Sequence, residues 1–461
     1  MKLINFFAVH NIDFNKAWKA KQSGWHDQTR AIFANAELGW KSMIYLTATG
    51  RNDWDSRLAF SDYKSFFYPS IGLSAILTSM FNAPDWLTYL KVRGSYTEVG
   101  NSYGRFMTTV TYPYDEQTQS WTSTSSYPNT KLKPERTKSW EVGLDARILN
   151  DISLNLTYYR SNTYNQTFYA DLSLSSGYSN IPIQSGNIMN EGLEMSLGYN
   201  KQWKDFSFNT NYTLTWNKNR VKRLADGVYN YATGQPIQMP ELSPLTYGHT
   251  DARLILRVGG SMGDVYGQRL LKRDLNGYIL NEEGVGLAME NKETYLGSIL
   301  PKMNMGWSLG FGYKGVNLGM TFTGRFGGIV ISETQSVLDA AGVSKVSADV
   351  RDAGGVQINQ SKVSAQTYYQ TIQGTAAYYT YSATNVRLGE LSLSYTLPKK
   401  WFDNKVGMTV GLVGKNLWMI YCKAPFDPEL TTSAASNFYQ GFDAYMLPST
   451  RNFGFNVKFQ F

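Results

Sequence analysis

The sequence predicts an all-β protein, a transmembrane antiparallel β-barrel, and three observations support this prediction. Apolar and polar residues alternate along many segments, each near the ~9–11 residues that cross a bilayer as a tilted strand. The connections between these segments alternate between short and long, which is typical of membrane barrels. Only 17% of the residues are charged and 15% are aromatic, which favours a sheet with one face in lipid and the other in water.

The segments are predicted to form thirteen strands. They lie near residues 30–40, 43–53, 65–77, 87–99, 137–149, 152–165, 187–200, 206–219, 303–313, 316–328, 385–397, 406–419 and 451–461. The first two are apolar at every second position, from Ile32 to Trp40 and from Ile44 to Ala48, across a short turn. The next six show the same alternation, for example from Val142 to Ile148 and from Ile152 to Tyr158 around the turn "LNDI".

The ninth and tenth strands predict a tight hairpin. "MNMGWSLGFGY" alternates large apolar residues with Asn, Gly and Ser, and the turn "KGVN" leads into a second alternating run. The small residues suit a crowded barrel interior. In the eleventh strand Val386 and Leu388 are out of parity with Leu391 and Leu393, which predicts a β-bulge near Gly389.

The last strand, "RNFGFNVKFQF", places its apolar residues on the predicted lipid face and its polar residues on the predicted luminal face. The apolar set is Phe453, Phe455, Val457, Phe459 and Phe461, and the polar set is Asn452, Asn456, Lys458 and Gln460. With this strand ending on the short-turn side, the first strand starts from the long-loop side. Residues 1–28 are therefore predicted to be an outer-loop remnant, and residues 29–461 to be the barrel portion.

An odd count of thirteen strands predicts that the barrel is not complete. An open sheet in lipid would leave the backbone N–H and C=O groups of its edges without partners. We therefore expect this chain to be a fragment or to close with help.

Other functional classes find little support. The net charge of +8 is dispersed without a basic run, so no nucleic-acid partner is predicted. The single cysteine, Cys422, and the histidines His10, His26 and His249 show no ligand or catalytic spacing, so no catalytic residue, metal site or cofactor is predicted. "DLNGYILNEEG", from Asp274 to Gly284, lacks calcium-loop spacing and is interpreted as a polar turn.

One segment carries a family resemblance. Residues 129–148, "NTKLKPERTKSWEVGLDARI", resemble the Asn-x-x-Leu-Lys-Pro-Glu segment of TonB-dependent outer-membrane transporters. The matching residues are Leu132, Lys133, Pro134, Glu135, Trp140, Glu141, Gly143 and Leu144. In that family the segment leads from an outer loop into a strand, where the alternation also places it here.

Further segments are similar to the SusC/RagA-like subgroup, in the same order along the chain. They include "TATGRNDWDSRL", "SFFYPSIGLSAIL" and "VGKNLWMIYCKAPFDPEL". The residues that match are Arg51, Asp53, Tyr68, Pro69, Ser70, Asn416, Leu417, Asp427, Pro428 and Glu429. The resemblance covers nearly all of residues 29–461.

The resemblance implies a function and partners. It implies an importer of oligosaccharides or peptides in the outer membrane of a Bacteroidetes-type bacterium, surrounded by outer-membrane lipid and covered by a SusD-like surface lipoprotein. TonB would supply energy through a plug domain. The family's full-length chain has a signal peptide, a plug domain and a 22-stranded barrel. Compared with it, this chain would lack the signal peptide, the plug and about nine strands. Phe453, Phe455, Phe459 and Phe461 would form the C-terminal signal that the insertion machinery recognises.

Two alternatives and one further feature stay open. The alternatives are an outer-membrane barrel enzyme, which would need a catalytic constellation from distant residues, and a secreted soluble sugar-binding β-protein. Two tyrosine-rich segments, Thr111 to Tyr127 and Gln366 to Tyr381, could stack on sugars, hold peptides or pack the loops together.

Overall fold

The computed structural model describes residues 24–115, 120–184, 186–224, 228–229, 233–237, 241–282, 286–430, 432–433 and 437–461. Its main feature is a thirteen-stranded antiparallel sheet, the wall, in which each strand pairs with the next along the chain. The wall strands are β1 (Thr29–Trp40), β2 (Ile44–Asp55), β3 (Phe66–Ile76), β4 (Leu87–Asn101), β5 (Glu135–Ile148), β6 (Ile152–Tyr164), β7 (Asn187–Trp203), β8 (Phe206–Arg223), β9 (Met303–Tyr313), β10 (Val316–Phe326), β11 (Asn385–Thr396), β12 (Gly407–Cys422) and β13 (Asn452–Gln460).

The predicted strands are confirmed in number and order, and their ends differ from the observed ends by no more than four residues. The predicted bulge is confirmed too. Thr321 pairs with Glu390 whereas the next residue, Phe322, pairs with Leu388, so Gly389 has no partner in the register. The bulge restores the alternation of faces after the change of parity.

The short turns owe their shape to residues that tolerate a left-handed backbone. At the β9–β10 turn, Lys314 has φ 45° and Gly315 has φ 89°. Positive φ at both central residues is the geometry of a tight hairpin that matches the strand twist. A Cβ added at Gly315 would lie 2.8 Å from the carbonyl oxygen of Thr396, so a larger residue would force the turn away from β11.

The two faces of the wall differ as the alternation predicts. Leu393, Leu412 and Phe455 are register partners across β11, β12 and β13 and form an exposed apolar row. The opposite face is crowded and polar. A Cβ added at Gly192 would lie 2.6 Å from the Tyr159 hydroxyl, so only glycine leaves room for this tyrosine.

Both edges of the wall lack a second neighbour among the described residues, since β1 pairs only with β2 and β13 only with β12. Of the predicted outer-loop remnant, residues 24–28 precede β1 without regular structure, and residues 1–23 lie outside the described part.

Three long connections pack together, and we call residues 224–302, 327–384 and 423–451 the loop domain. It contains a four-stranded sheet of Glu241–Thr246, Arg253–Arg257, Asp264–Leu271 and Met289–Ser298. Its further strands are Val228–Tyr229, Pro236–Ile237, Asn281–Glu282, Gly286–Leu287, Ile329–Ser332, Val356–Ile358, Ser361–Val363, Thr380–Ser382 and Phe442–Asp443. Two short hairpins belong to other connections and pair Tyr114–Asp115 with Ser120–Trp121, and Thr167–Asp171 with Asn180–Gln184.

The helices are short. They are α1 (Leu77–Met80), α2 (Glu333–Ala340), α3 (Lys345–Asp352) and α4 (Ala365–Ile372). A serine begins each of the last three, because the hydroxyls of Ser332, Ser344 and Ser364 accept an N–H bond from the first helical turn. No helix in the described ranges is long and apolar enough to cross a membrane.

Candidate binding site among the long loops

A cavity of about 790 Å³ lies where four parts of the chain meet. Its walls come from the start of β5, the hairpin strand Thr167–Asp171, the four-stranded sheet of the loop domain and the segment around Phe438. This volume is within the range of pockets that hold small ligands. The lining residues are Glu135, Gln166, Thr167, Phe168, Tyr169, Ala170, Asp171, Glu241, Leu242, Ser243, Leu256, Met262 and Phe438.

The Leu-Lys-Pro-Glu segment positions one side of this cavity. Leu132 is buried in a small core with Leu58 and Phe66 at the long-loop ends of β2 and β3. The backbone of Lys133 exchanges two hydrogen bonds with the side-chain amide of Gln184. These contacts fix the chain immediately before Glu135, whose side chain then faces the cavity.

The hairpin Thr167–Gln184 is held against the same segment. Its core consists of Ala170, Ile181 and Ile183, which are all buried. Asn129 donates a hydrogen bond of 2.9 Å from Nδ2 to the carbonyl oxygen of Pro182. The hairpin is therefore a fixed wall, and Phe168 and Tyr169 on it line the cavity.

The charge of the cavity is acidic. Its described lining contains the carboxylates Glu135, Asp171 and Glu241 and no Lys, Arg or His. Glu241 is paired with Arg257 at 2.6 Å, and the same guanidinium is 2.7 Å from Glu293. The hydrogen bonds that Arg257 donates to Glu293 and Glu241 raise the pKa of Arg257, and one cation thus pairs with two carboxylates.

Two further contacts hold the loop domain in place. The Asp251 carboxylate accepts N–H bonds from Ala376 at 2.6 Å, Arg269 at 2.7 Å and Gln268 at 3.1 Å. It thus joins two connections that are far apart in sequence. On the wall, Arg387 of β11 forms two hydrogen bonds with Asp427, at 2.8 and 3.0 Å.

The two tyrosine-rich segments differ in how far their aromatic rings are exposed to solvent. In Gln366–Tyr381, Tyr369 is 7% exposed and Tyr379 is 2% exposed, so these rings pack the loop domain. In Thr111–Tyr127, of which residues 116–119 lie outside the described part, Trp121 is 70% exposed beside Tyr114. The packing interpretation therefore holds for the buried rings, whereas Tyr114 and Trp121 form an exposed aromatic pair.

The remaining residues singled out from the sequence lie apart from the cavity. Asp274 accepts N–H bonds from Asn276 and Tyr278, which is the geometry of a polar turn; residues 283–284 of that motif lie outside the described part. His10 also lies outside it. Among the described residues, no three His, Cys, Asp or Glu side chains are placed to hold a metal ion.

The four phenylalanines of the predicted insertion signal are exposed, three on the edge strand β13 and one directly after it, and their role remains a prediction. They are Phe453, Phe455, Phe459 and Phe461. Glu135 was the only cavity residue that sequence analysis singled out. The other lining residues come from loops distant in sequence, so no local pattern could have joined them.

Comparison with known proteins identifies the family. A family model described as "TonB dependent receptor-like, beta-barrel" matches residues 9–417. TonB-dependent receptor P3 of Formosa agariphila is 25% identical over 468 residues, which is 93% of this chain and 45% of that protein. TonB-dependent receptor SusC of Bacteroides thetaiotaomicron is 25% identical over 217 residues, 46% of this chain and 19% of SusC.

A solved structure shows the same fold. The RagAB peptide importer in the open-open state matches with a TM-score of 0.71 at 20% identity, covering 94% of this chain and 46% of that one. The chain thus spans about half the length of the first relatives it matches. Proteins of this family are outer-membrane transporters. The chain belongs to the TonB-dependent receptor family, as a SusC/RagA-like β-barrel.

Proposed function

We propose that this chain forms part of the wall and the outer vestibule of a TonB-dependent importer of oligosaccharides or peptides. The observation that carries this proposal is the cavity of about 790 Å³ that the loop domain forms with the hairpin strand Thr167–Asp171 and the start of β5, and that aromatic and polar side chains line. Pockets of this kind combine apolar surface for affinity with a few polar groups for orientation. SusC and the RagAB peptide importer are among the relatives and structural neighbours, which supports a nutrient as cargo.

We also propose that further strands complete the barrel. Both wall edges, β1 and β13, present unpaired backbone groups among the described residues, and lipid does not tolerate such groups. Strands outside these residues would pair with both edges and complete a barrel of the expected 22 strands. A plug domain would lie within that barrel and receive energy from TonB.

The proposal also includes a surface lipoprotein of the SusD type as a lid. The loop domain exposes apolar side chains to the outside, including Leu275, Val343, Val346 and Leu447. Single exposed apolar residues are common, but a covering protein would remove these from water. The family's outer-membrane location argues against a secreted soluble sugar-binding protein, and its transport activity argues against a barrel enzyme.

The proposal is tested by deleting the gene that encodes this chain and measuring uptake of labelled oligosaccharides and peptides by whole cells. We expect uptake of one class to be lost, to return on complementation, and to stop when a protonophore removes the energy source. Uptake that is unchanged by the deletion for both classes, or that persists with the protonophore, would contradict the proposed function.

A further inference from the structure

We propose that the cavity at Glu135 binds the cationic groups of peptides, such as lysine or arginine side chains or free amino termini. This inference rests on the proposed function, because it selects one cargo class and one feature of it. It depends on three observations: the uncompensated carboxylates, an unpartnered amide oxygen, and the apolar surface of the same cavity.

The first observation is the charge. Neither Glu135 nor Asp171 forms an ion pair with any described residue, and both line the cavity. Glu241 shares Arg257 with Glu293, so that trio keeps a net negative charge. Because walls of low dielectric focus the field of like charges, the cavity attracts cations.

The second observation is a buried acceptor that has no hydrogen-bond donor. The Gln166 side-chain oxygen Oε1 is buried and has no hydrogen-bond partner among the described residues, and Gln166 lines the cavity. A buried acceptor without a donor costs free energy. An ammonium or guanidinium group supplies several N–H donors and no acceptor, and so suits both this oxygen and the carboxylates.

The third observation is the apolar part of the cavity lining. Phe168, Leu256, Met262 and Phe438 contribute apolar surface to the same cavity. Lysine and arginine carry aliphatic stems that pack on such surface while their charged ends reach polar groups. Aromatic rings near a cation add to its binding.

A metal ion fits less well than an organic cation. The described residues contain no group of three metal-ligating side chains close enough to hold one ion, and the carboxylates lie on separate walls of a large cavity. A neutral oligosaccharide could also donate hydroxyl groups to the carboxylates, but it would leave their charge uncompensated. The oligosaccharide is therefore the competing outcome of the test.

The test measures binding to the protein purified as its native outer-membrane complex, by calorimetry. The probes are an N-acetylated decapeptide with lysine at alternate positions, the same acetylated peptide with glutamine in place of lysine, and a linear neutral gluco-oligosaccharide. The variants are Glu135→Gln, Asp171→Asn and the double variant. Glu290→Gln is the matched control, because Glu290 lies in the same loop domain, pairs with Lys292 and does not line the cavity.

We expect the double variant to bind the lysine peptide about tenfold more weakly, a loss of about 1.4 kcal/mol, because it removes both carboxylates of the cavity that have no ion-pair partner. The glutamine peptide should be unaffected, Glu290→Gln should behave as the unchanged protein, and high salt should reduce the difference. The proposal is overturned if the double variant binds the lysine peptide as tightly as the unchanged protein. It is also overturned if both peptides are weakened equally, or if only the oligosaccharide binds; that last result leaves an oligosaccharide importer standing.

Discussion

The wall and the loop domain keep their apolar residues away from water in different ways, by contact with lipid in the wall and by packing in a protein core in the loop domain. On the wall, Leu412 is 64% exposed and Phe455 is 81% exposed. In the loop domain, Tyr247, Leu254 and Ile331 are fully buried in one core. The wall therefore depends on lipid and on its strand-to-strand hydrogen bonds, whereas the loop domain is stabilised by the hydrophobic effect, as a water-soluble domain is.

A buried ion pair forms the junction between the two regions. Arg387 of the wall and Asp427 of the loop domain are both nearly inaccessible, and Glu429 lies 3.3 Å from the same guanidinium. Burial opposes ionisation of Asp427, but hydrogen bonds from Arg387 lower its pKa overall. This stabilisation is present above the unfolded-state pKa of about 4 and is lost as the pH falls below it.

The largest expected effect is at this junction. Arg387→Met should lower the free energy of unfolding of the loop domain by about 3–5 kcal/mol, because it leaves Asp427 buried without a cation. Limited proteolysis of the protein in outer-membrane vesicles would show faster cleavage of residues 423–451 while the wall stays intact. Lys345→Met is the control: Lys345 pairs with Asp349 on an exposed helix face, and its loss should leave the cleavage rate unchanged. Equal cleavage in both variants would mean that the junction does not hold the loop.

The second prediction compares the two faces of the wall at adjacent residues of β10. Met320 has the parity of the apolar face, and Thr321 faces the polar interior opposite Glu390. Met320→Arg should destabilise the folded barrel by about 2–4 kcal/mol, because it places a charge in lipid near the middle of the strand. Thr321→Arg should have much less effect. Denaturant unfolding in lipid vesicles measures both, and similar losses would show that these faces are assigned wrongly.

The third prediction concerns the loop domain alone. Asp251→Ala leaves three backbone N–H groups without their acceptor, those of Gln268, Arg269 and Ala376. We expect a loss of about 2 kcal/mol, seen as faster amide hydrogen exchange at these positions. Asp251→Asn keeps one acceptor oxygen and should lose less. Exchange that stays slow in Asp251→Ala would contradict this role of the carboxylate.

The fourth prediction uses pH. Burial, with a contribution from Asp339, raises the pKa of Tyr381 to about 12 and also raises that of Tyr379. Unfolded tyrosine titrates near pH 10, so this contribution is complete below pH 10 and is lost as the pH rises toward 12. Near-ultraviolet circular dichroism should show the loop domain losing about 1–2 kcal/mol in that interval. Infrared β-sheet absorption of the wall should persist. Simultaneous loss of both signals would contradict the prediction that the loop domain unfolds separately from the wall.

The wall could be predicted from the sequence because its rules are local. Alternation along one strand determines both faces, and the parity change around Gly389 was enough to predict the bulge. The loop domain gave no such pattern. Its core joins Tyr247, Ile331 and Phe442 from three connections, and only the fold brings them together.

The candidate site shows the same division. Glu135 was singled out because it belongs to a contiguous segment that resembles a known family. Its cavity neighbours Asp171, Glu241 and Phe438 lie on three other connections, and nothing in their local sequence indicates a shared site. For the tyrosine-rich segments the sequence left ligand stacking and loop packing as alternatives, because composition alone does not distinguish a buried ring from an exposed one.

The smallest expected effect tests how tightly the loop domain is packed. The Tyr379 hydroxyl is buried without a hydrogen-bond partner among the described residues, so Tyr379→Phe should raise stability by about 1 kcal/mol. Tyr247 is the matched control, because its hydroxyl donates a 2.7 Å bond to the carbonyl oxygen of Phe438 and Tyr247→Phe should lower stability by a similar amount. Thermal unfolding of the loop domain, followed by near-ultraviolet circular dichroism, compares the two. Opposite signs indicate a dry core at Tyr379, as in a water-soluble domain, whereas a loss in both variants would show that a water molecule satisfies that hydroxyl.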